Sequence, residues 1–290
     1  MHAHGSGIYV DGRILKNLSG EEKPGVLNLN QSTITQNTAV DNGQDETLGG
    51  GVYSRGATTV LDSTISENSV IESVAQFPGG EVVAEGGGIV NTGTLTIKSS
   101  RIINNHGIST GENLGAFGGG LGSFSDPDFV APAFLTIEDS VISGNTTTGR
   151  YAEGAAMEIE LETTITRTVI SGNVSTAQGN APPPPCSFGL AQCNSGSAFS
   201  DGAILNQGHL VLTDCIIENN RSTATGNNHP LVEGAGLTNS GTFRTNQYRP
   251  TPGKAELTRT IVRNNIATAI GPGSEVRGVA SPTRTRARSR

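Results

Sequence analysis

The residues best equipped for acid–base chemistry in this 290-residue chain are Asp126 and Asp128, which flank Pro127 in one irregular segment. Two carboxylates at a set separation are the minimum for hydrolysing a glycosidic bond; a lyase would add a basic residue and acidic calcium ligands. Asp-Pro-Asp is equally ordinary turn chemistry, and no Lys or Arg is placed beside the pair. Glu158, Glu160 and Glu162 share one parity of a segment whose other parity holds Met157, Ile159 and Leu161. That alternation predicts a solvated outer face for the three glutamates rather than a cation site. The histidines (positions 2, 4, 106, 209 and 229) show no metal-ligand spacing beyond His2 and His4. The glycine triplets lack the Lys-Ser/Thr of a phosphate-cradling loop, so neither metal nor cofactor is expected. Cys186 and Cys193 share a proline-rich segment and would close a small disulfide ring in an exported protein. Cys215 takes a place that Ser or Thr fills elsewhere and reads as a buried small residue.

These residues interrupt a repeat. Its clearest unit is GGGIVNTGTLTIKSSRIINN, from Gly86 to Asn105: a glycine cluster entering an aliphatic residue, then Leu-x-Ile, then Ser-x-Ile-x-x-Asn. The closing part recurs seven times, ending at Asn37, Asn68, Asn105, Asn145, Asn173, Asn220 and Asn265. Leu-x-Ile-x-x-Ser-x-Ile alternates with period two around one extra residue, which predicts two short strands and a bend. With the glycine strand, each repeat supplies three short strands, and stacked repeats bury aliphatic columns that a lone repeat leaves exposed. Asn at the third corner tolerates left-handed backbone and can bond its neighbours through the amide, giving an internal ladder. The distance between successive ladder asparagines varies from 28 to 47 residues. A constant core with variable loops favours a right-handed parallel β-helix of about seven coils over the strict hexapeptides of a left-handed one. At the usual strand spacing such a rod is roughly 30–35 Å long. Two loop sites absorb the variation: after the ladder Asn, and between the glycine strand and Leu-x-Ile.

Composition agrees. Forty glycines, no tryptophan and 16% charged residues make a chain of small uncharged side chains, and a formal charge of −7 disfavours nucleic acid. No apolar run is long enough for a membrane-spanning helix, and the first residues do not read as a signal peptide. A single β-helix domain is expected over residues 5–279. Residues 275–280 resemble the start of an eighth coil. Residues 280–290 form an irregular basic tail of the kind that truncation or a shifted reading frame would leave. Further coils are therefore expected beyond one or both ends.

The pairing of Gly-Gly-Gly-Ile with Ile-x-x-Asn resembles the repeats of bacterial polymorphic outer-membrane proteins, with Ile or Val where those carry Phe. More broadly, the unit resembles the right-handed β-helix, pectin-lyase-like surface proteins of bacteria. The resemblance implies a secreted or cell-surface, non-catalytic segment, structural or adhesin-like, whose edge loops meet a surface ligand, glycan or protein. Because the same scaffold hosts lyases and hydrolases, the competing expectation is a carbohydrate-active or polysaccharide-binding protein using Asp126 and Asp128.

Overall fold

The computed structural model describes residues 3–4, 6–10, 25–42, 46–73, 82–110, 114–124, 133–179, 198–240 and 253–278. These contain strands and no helix, and every strand pairing is parallel. The third coil shows the plan: Val82–Glu85, Ile89–Asn91, Thr94–Lys98, Arg101–Ile103 and His106–Ser109. Each belongs to a different sheet, here called A to E in that order. Sheets B to E have seven strands each; sheet A has an eighth, Glu275–Arg277, paired with Leu231–Glu233. The chain is a parallel β-helix.

Each coil has five strands, not three. The glycine strand (B), Leu-x-Ile (C) and Ser-x-Ile (D) lie as expected; sheet E follows the ladder Asn and sheet A precedes the glycines. Sheet E has no sustained apolar alternation because most of its inward positions are small or polar (Gly107, Thr147, Ser175, Ser222), matched coil to coil, with Val70 the apolar exception. Small residues let sheets A and E approach. Ala152, Ala177, Ala198, Ala224 and Val232 pack there, threaded by hydroxyl bonds from Ser175 to Ser200 (2.8 Å) and Ser200 to Ser222 (2.7 Å). The aliphatic columns of B, C and D form the main core, from Leu29 and Val52 through Ile97 and Ile137 to Leu212 and Ile217.

Two columns of left-handed residues turn the C–D and D–E corners. Asp62, Ser99, Asp139, Arg167 and Asp214 precede the Ser-type position; Glu67, Asn104, Gly144, Gly172 and Asn219 precede the ladder Asn. Left-handed backbone is costly for most L-residues and least so for Gly, Asn and Asp. The ladder Asn itself therefore does not supply the left-handed corner; the residue before it does.

The ladder is continuous from Asn37 to Asn265. Each Nδ2 donates to the next Oδ1 at 2.9–3.0 Å, and the same oxygen accepts the preceding coil's backbone N–H. From Asn68 onward each Nδ2 also donates to an isoleucine-column carbonyl of the coil behind, as from Asn105 to Ile65 and from Asn145 to Ile102. A Ser-type ladder runs beside it: Ser63 N–H to Ser100 Oγ and Ser100 N–H to Ser140 Oγ.

Candidate functional site

Of the five connections in a coil, C–D and D–E are always two residues, and A–B is two or three. Variation beyond one residue is confined to E–A and B–C among the described coils. E–A is the single Arg150 in one coil and spans 180–198 in the next, while B–C is Thr92-Gly93 in one coil and 240–253 in another. One variable connection emerges before sheet A and the other after sheet B, so both loop series flank the A–B face.

That face is concave. Outer side chains of the two sheets, Leu48, Tyr53 and Val90, are buried against one another across the A–B corner, where Gly49, Gly86, Gly118, Gly154 and Gly234 adopt positive φ. A Cβ on Gly86 would strike the Val90 side chain, and one on Gly234 would come within 2.8 Å of Thr238 Oγ1. The following glycines answer a different need: a Cβ at Gly51 or Gly88 would lie about 2.5 Å from a backbone oxygen of the next coil.

Outer side chains along this face change character down the rod. Tyr9 and Tyr53 stack at 5.4 Å with planes 7° apart, and Arg55 sits over Tyr53. Leu48, Tyr53, Val90 and Phe124 then pack as one cluster across the corner. Farther on the face is acidic. Glu153, Asp201 and Glu233 occupy one outer column of sheet A, and Glu158 the facing column of sheet B. Asp201 and Glu158 are buried.

Asp201 lies where the corner is one residue short: Gly202-Ala203 replaces the Gly154-Ala155-Ala156 and Gly234-Ala235-Gly236 of the adjoining coils. Thr238 Oγ1 donates to the Glu233 carbonyl (2.6 Å) and lies 3.4 Å from Asp201 Oδ1. Burial first, then the Glu233 carboxylate, push the Asp201 carboxyl well above the usual range; Glu158 adds to this, and the Thr238 hydroxyl opposes it. Arg277 Nη1 meets Glu233 Oε1 at 2.9 Å and also holds Glu275, whose carboxyl it depresses.

Glu158, Glu160 and Glu162 do not form one solvated row. Glu158 is buried, Glu160 half-buried and Glu162 exposed. The reason is that Glu158 lies in sheet B under the concave corner, whereas Glu162 opens sheet C on the convex side. Asp126, Asp128, Cys186, Cys193 and the tail from 279 onward lie outside the described residues. Cys215 is buried with Sγ against the Ile165 and Thr213 carbonyls, and burial raises its thiol. Reading the sequence for motifs missed Glu153, Asp201 and Glu233, although an acid-Gly pair recurs at Glu85-Gly86, Glu153-Gly154, Asp201-Gly202 and Glu233-Gly234.

The convex faces differ in kind. They carry exposed ion pairs running between coils, including Lys98–Glu138 (3.2 Å), Arg167–Asp139 (2.6 Å) and Arg259–Asp214 (2.6 Å), each worth little alone. Among the described residues, no group of His, Cys, Asp or Glu is arranged to hold a metal ion, and no helix is long and apolar enough to cross a membrane. Comparison of the chain with models of protein families, with curated proteins and with solved structures finds no match.

Proposed function

We propose that the chain is a non-catalytic β-helix scaffold of a secreted or cell-surface protein, holding a surface ligand, glycan or protein, on its A–B face. The observation that carries this reading is the bracketing: among the described coils, the two connections that vary by more than one residue lie on either side of the concave A–B face. Function concentrates on loops that a rigid frame positions. The repeat's resemblance to pectin-lyase-like surface proteins and polymorphic outer-membrane proteins points the same way. So does the use of the recurrent residues, which are committed to internal columns and ladders. Screening the chain on an array of glycans and surface proteins tests the reading: retention of a defined subset without release of product fits it. Cleavage of a retained polysaccharide, or no retention by any class, contradicts it.

A second reading, a polysaccharide-acting enzyme, is favoured by one observation. Asp201, Glu233 and Glu158 bring three carboxyl groups to one corner, with Asp201 buried and its carboxyl pushed above the usual range, and glycosidic cleavage uses a pair of carboxyl groups as acid and base. On that reading Asp201 is the proton donor, and Asp201→Asn abolishes product release while leaving retention intact.

A further inference from the structure

Sheet D turns an aliphatic row outward on the side of the coil away from the A–B corner. The middle residue of each strand points inward, as Ile142, Ile170 and Ile217 do, and all three are buried. The residue before it points out. In the fourth to seventh coils that outer residue is Val141, Val169, Ile216 and Ile261, aligned by strand register, and each is half-buried or exposed. The first three coils carry Thr33, Thr64 and Arg101 there, as a water-facing sheet ordinarily would. The C–D and D–E connections are two residues long in every described coil, so no insertion stands beside the row.

The charges flanking this row select its partner. On the C–D side Asp139, Arg167, Asp214 and Arg259 alternate acid and base down the four coils, all exposed. On the D–E side the outer residues are Ser143, Ser171, Glu218 and Arg263. Laid antiparallel on a second copy, Val141 meets Ile261 and Val169 meets Ile216. In the same register Asp139 meets Arg259 and Arg167 meets Asp214. On the other flank Ser143 meets Arg263 and Ser171 meets Glu218, so no like charges oppose each other. Two rods running the same way would instead set Asp214 against Glu218 and Arg259 against Arg263.

From this register we infer that the outer face of sheet D binds a second copy of the chain, antiparallel, about a two-fold axis between the fifth and sixth coils. The contact uses the side of the rod, and neither end takes part. An isologous contact of this kind closes at two copies. Four rows at the usual strand spacing span only about 15–20 Å. The patch falls below the roughly 1,200 Å² of stable complexes, so the dimer is weak and exchanging. Sheets C and E separate the contact from the A–B corner, which leaves that face open in both copies.

Sedimentation velocity of the full chain from micromolar to millimolar concentration tests the inference. The mean mass rises with concentration and levels off at two copies. Ile216→Ser, at an outward position beside the axis, leaves a monomer. Asp214→Arg sets arginine against Arg167 at both symmetry-related contacts, and Arg167→Asp sets aspartate against Asp214. Each change alone weakens association about tenfold, as two exposed ion pairs turned repulsive allow. An equal mixture of Asp214→Arg and Arg167→Asp chains restores opposite charges at both contacts and pairs about as well as the wild type. Because only pairing between the two variants can produce that recovery, it separates a lost contact from a damaged fold. A monomer at every concentration, growth past two copies, an undiminished dimer in Ile216→Ser, or a mixture no more associated than either variant alone overturns the inference.

Discussion

A ladder asparagine carries more than its own side chain. Asn145 donates to Asn173 Oδ1 and the Ile102 carbonyl, and it accepts from both the backbone and side-chain nitrogens of Asn105. Asn145→Ala leaves the Asn105 N–H and the Ile102 carbonyl short of partners in a dry interior, a loss of about 3 kcal/mol that denaturant unfolding would measure. Asp201 acts in the opposite sense. Its folded carboxyl titrates above the unfolded value, so the stability it contributes is full below the ordinary carboxylate range and is lost as pH rises through the folded value. Asp201→Asn removes that dependence. Melting temperatures of the two proteins should converge in acid, with the variant the more stable at neutral pH and above. A parallel pH dependence in both proteins would count against this assignment. Cys215, buried and with a raised thiol, should react with a thiol reagent only after unfolding.

At the scale of the element, corners rather than strands set the tolerance to substitution. Gly87 and Gly172 look alike in sequence but occupy different corners. A Cβ at Gly87 would lie 2.5 Å from the carbonyl oxygens of Gly119 and His106, whereas one at Gly172 meets nothing. Gly87→Ala should therefore unfold its coil or cost several kcal/mol, as overpacking does. Gly172→Ala should cost only about 1 kcal/mol for left-handed backbone, and Gly172→Asn less, since Asn104, Asn219 and Asn264 already fill that column. Circular dichroism melts of the three variants check the ranking. Strands C and D were legible in the sequence because Leu-x-Ile and Ser-x-Ile alternate. Strand E was not, because Thr147, Ser175 and Ser222 face inward without being apolar. The left-handed corner was misplaced by one residue because Asn suits both left-handed backbone and side-chain bonding, and only the structure separates the two roles.

For the whole molecule, the repeat revealed a rod but not which side of it matters. Glu153, Asp201 and Glu233 are separated in sequence by insertions of very different length, and only coil-by-coil register aligns them. The burial of Glu158 depends on the fold of the A–B corner, which alternation along a single strand does not encode. Once aligned, the described coils share a concave A–B face, aromatic and apolar toward the first coils and acidic toward the last, between two rows of loops. Their convex faces carry exposed ion pairs. The most direct test of the claim that the concave face is the working one compares two variants on the same ligand array: Tyr9→Ala with Glu233→Gln on the A–B face, and Thr164→Lys on exposed sheet C. The first should lose the ligands retained by the wild-type chain while the second keeps them. Retention by the A–B variant together with loss in Thr164→Lys would contradict it.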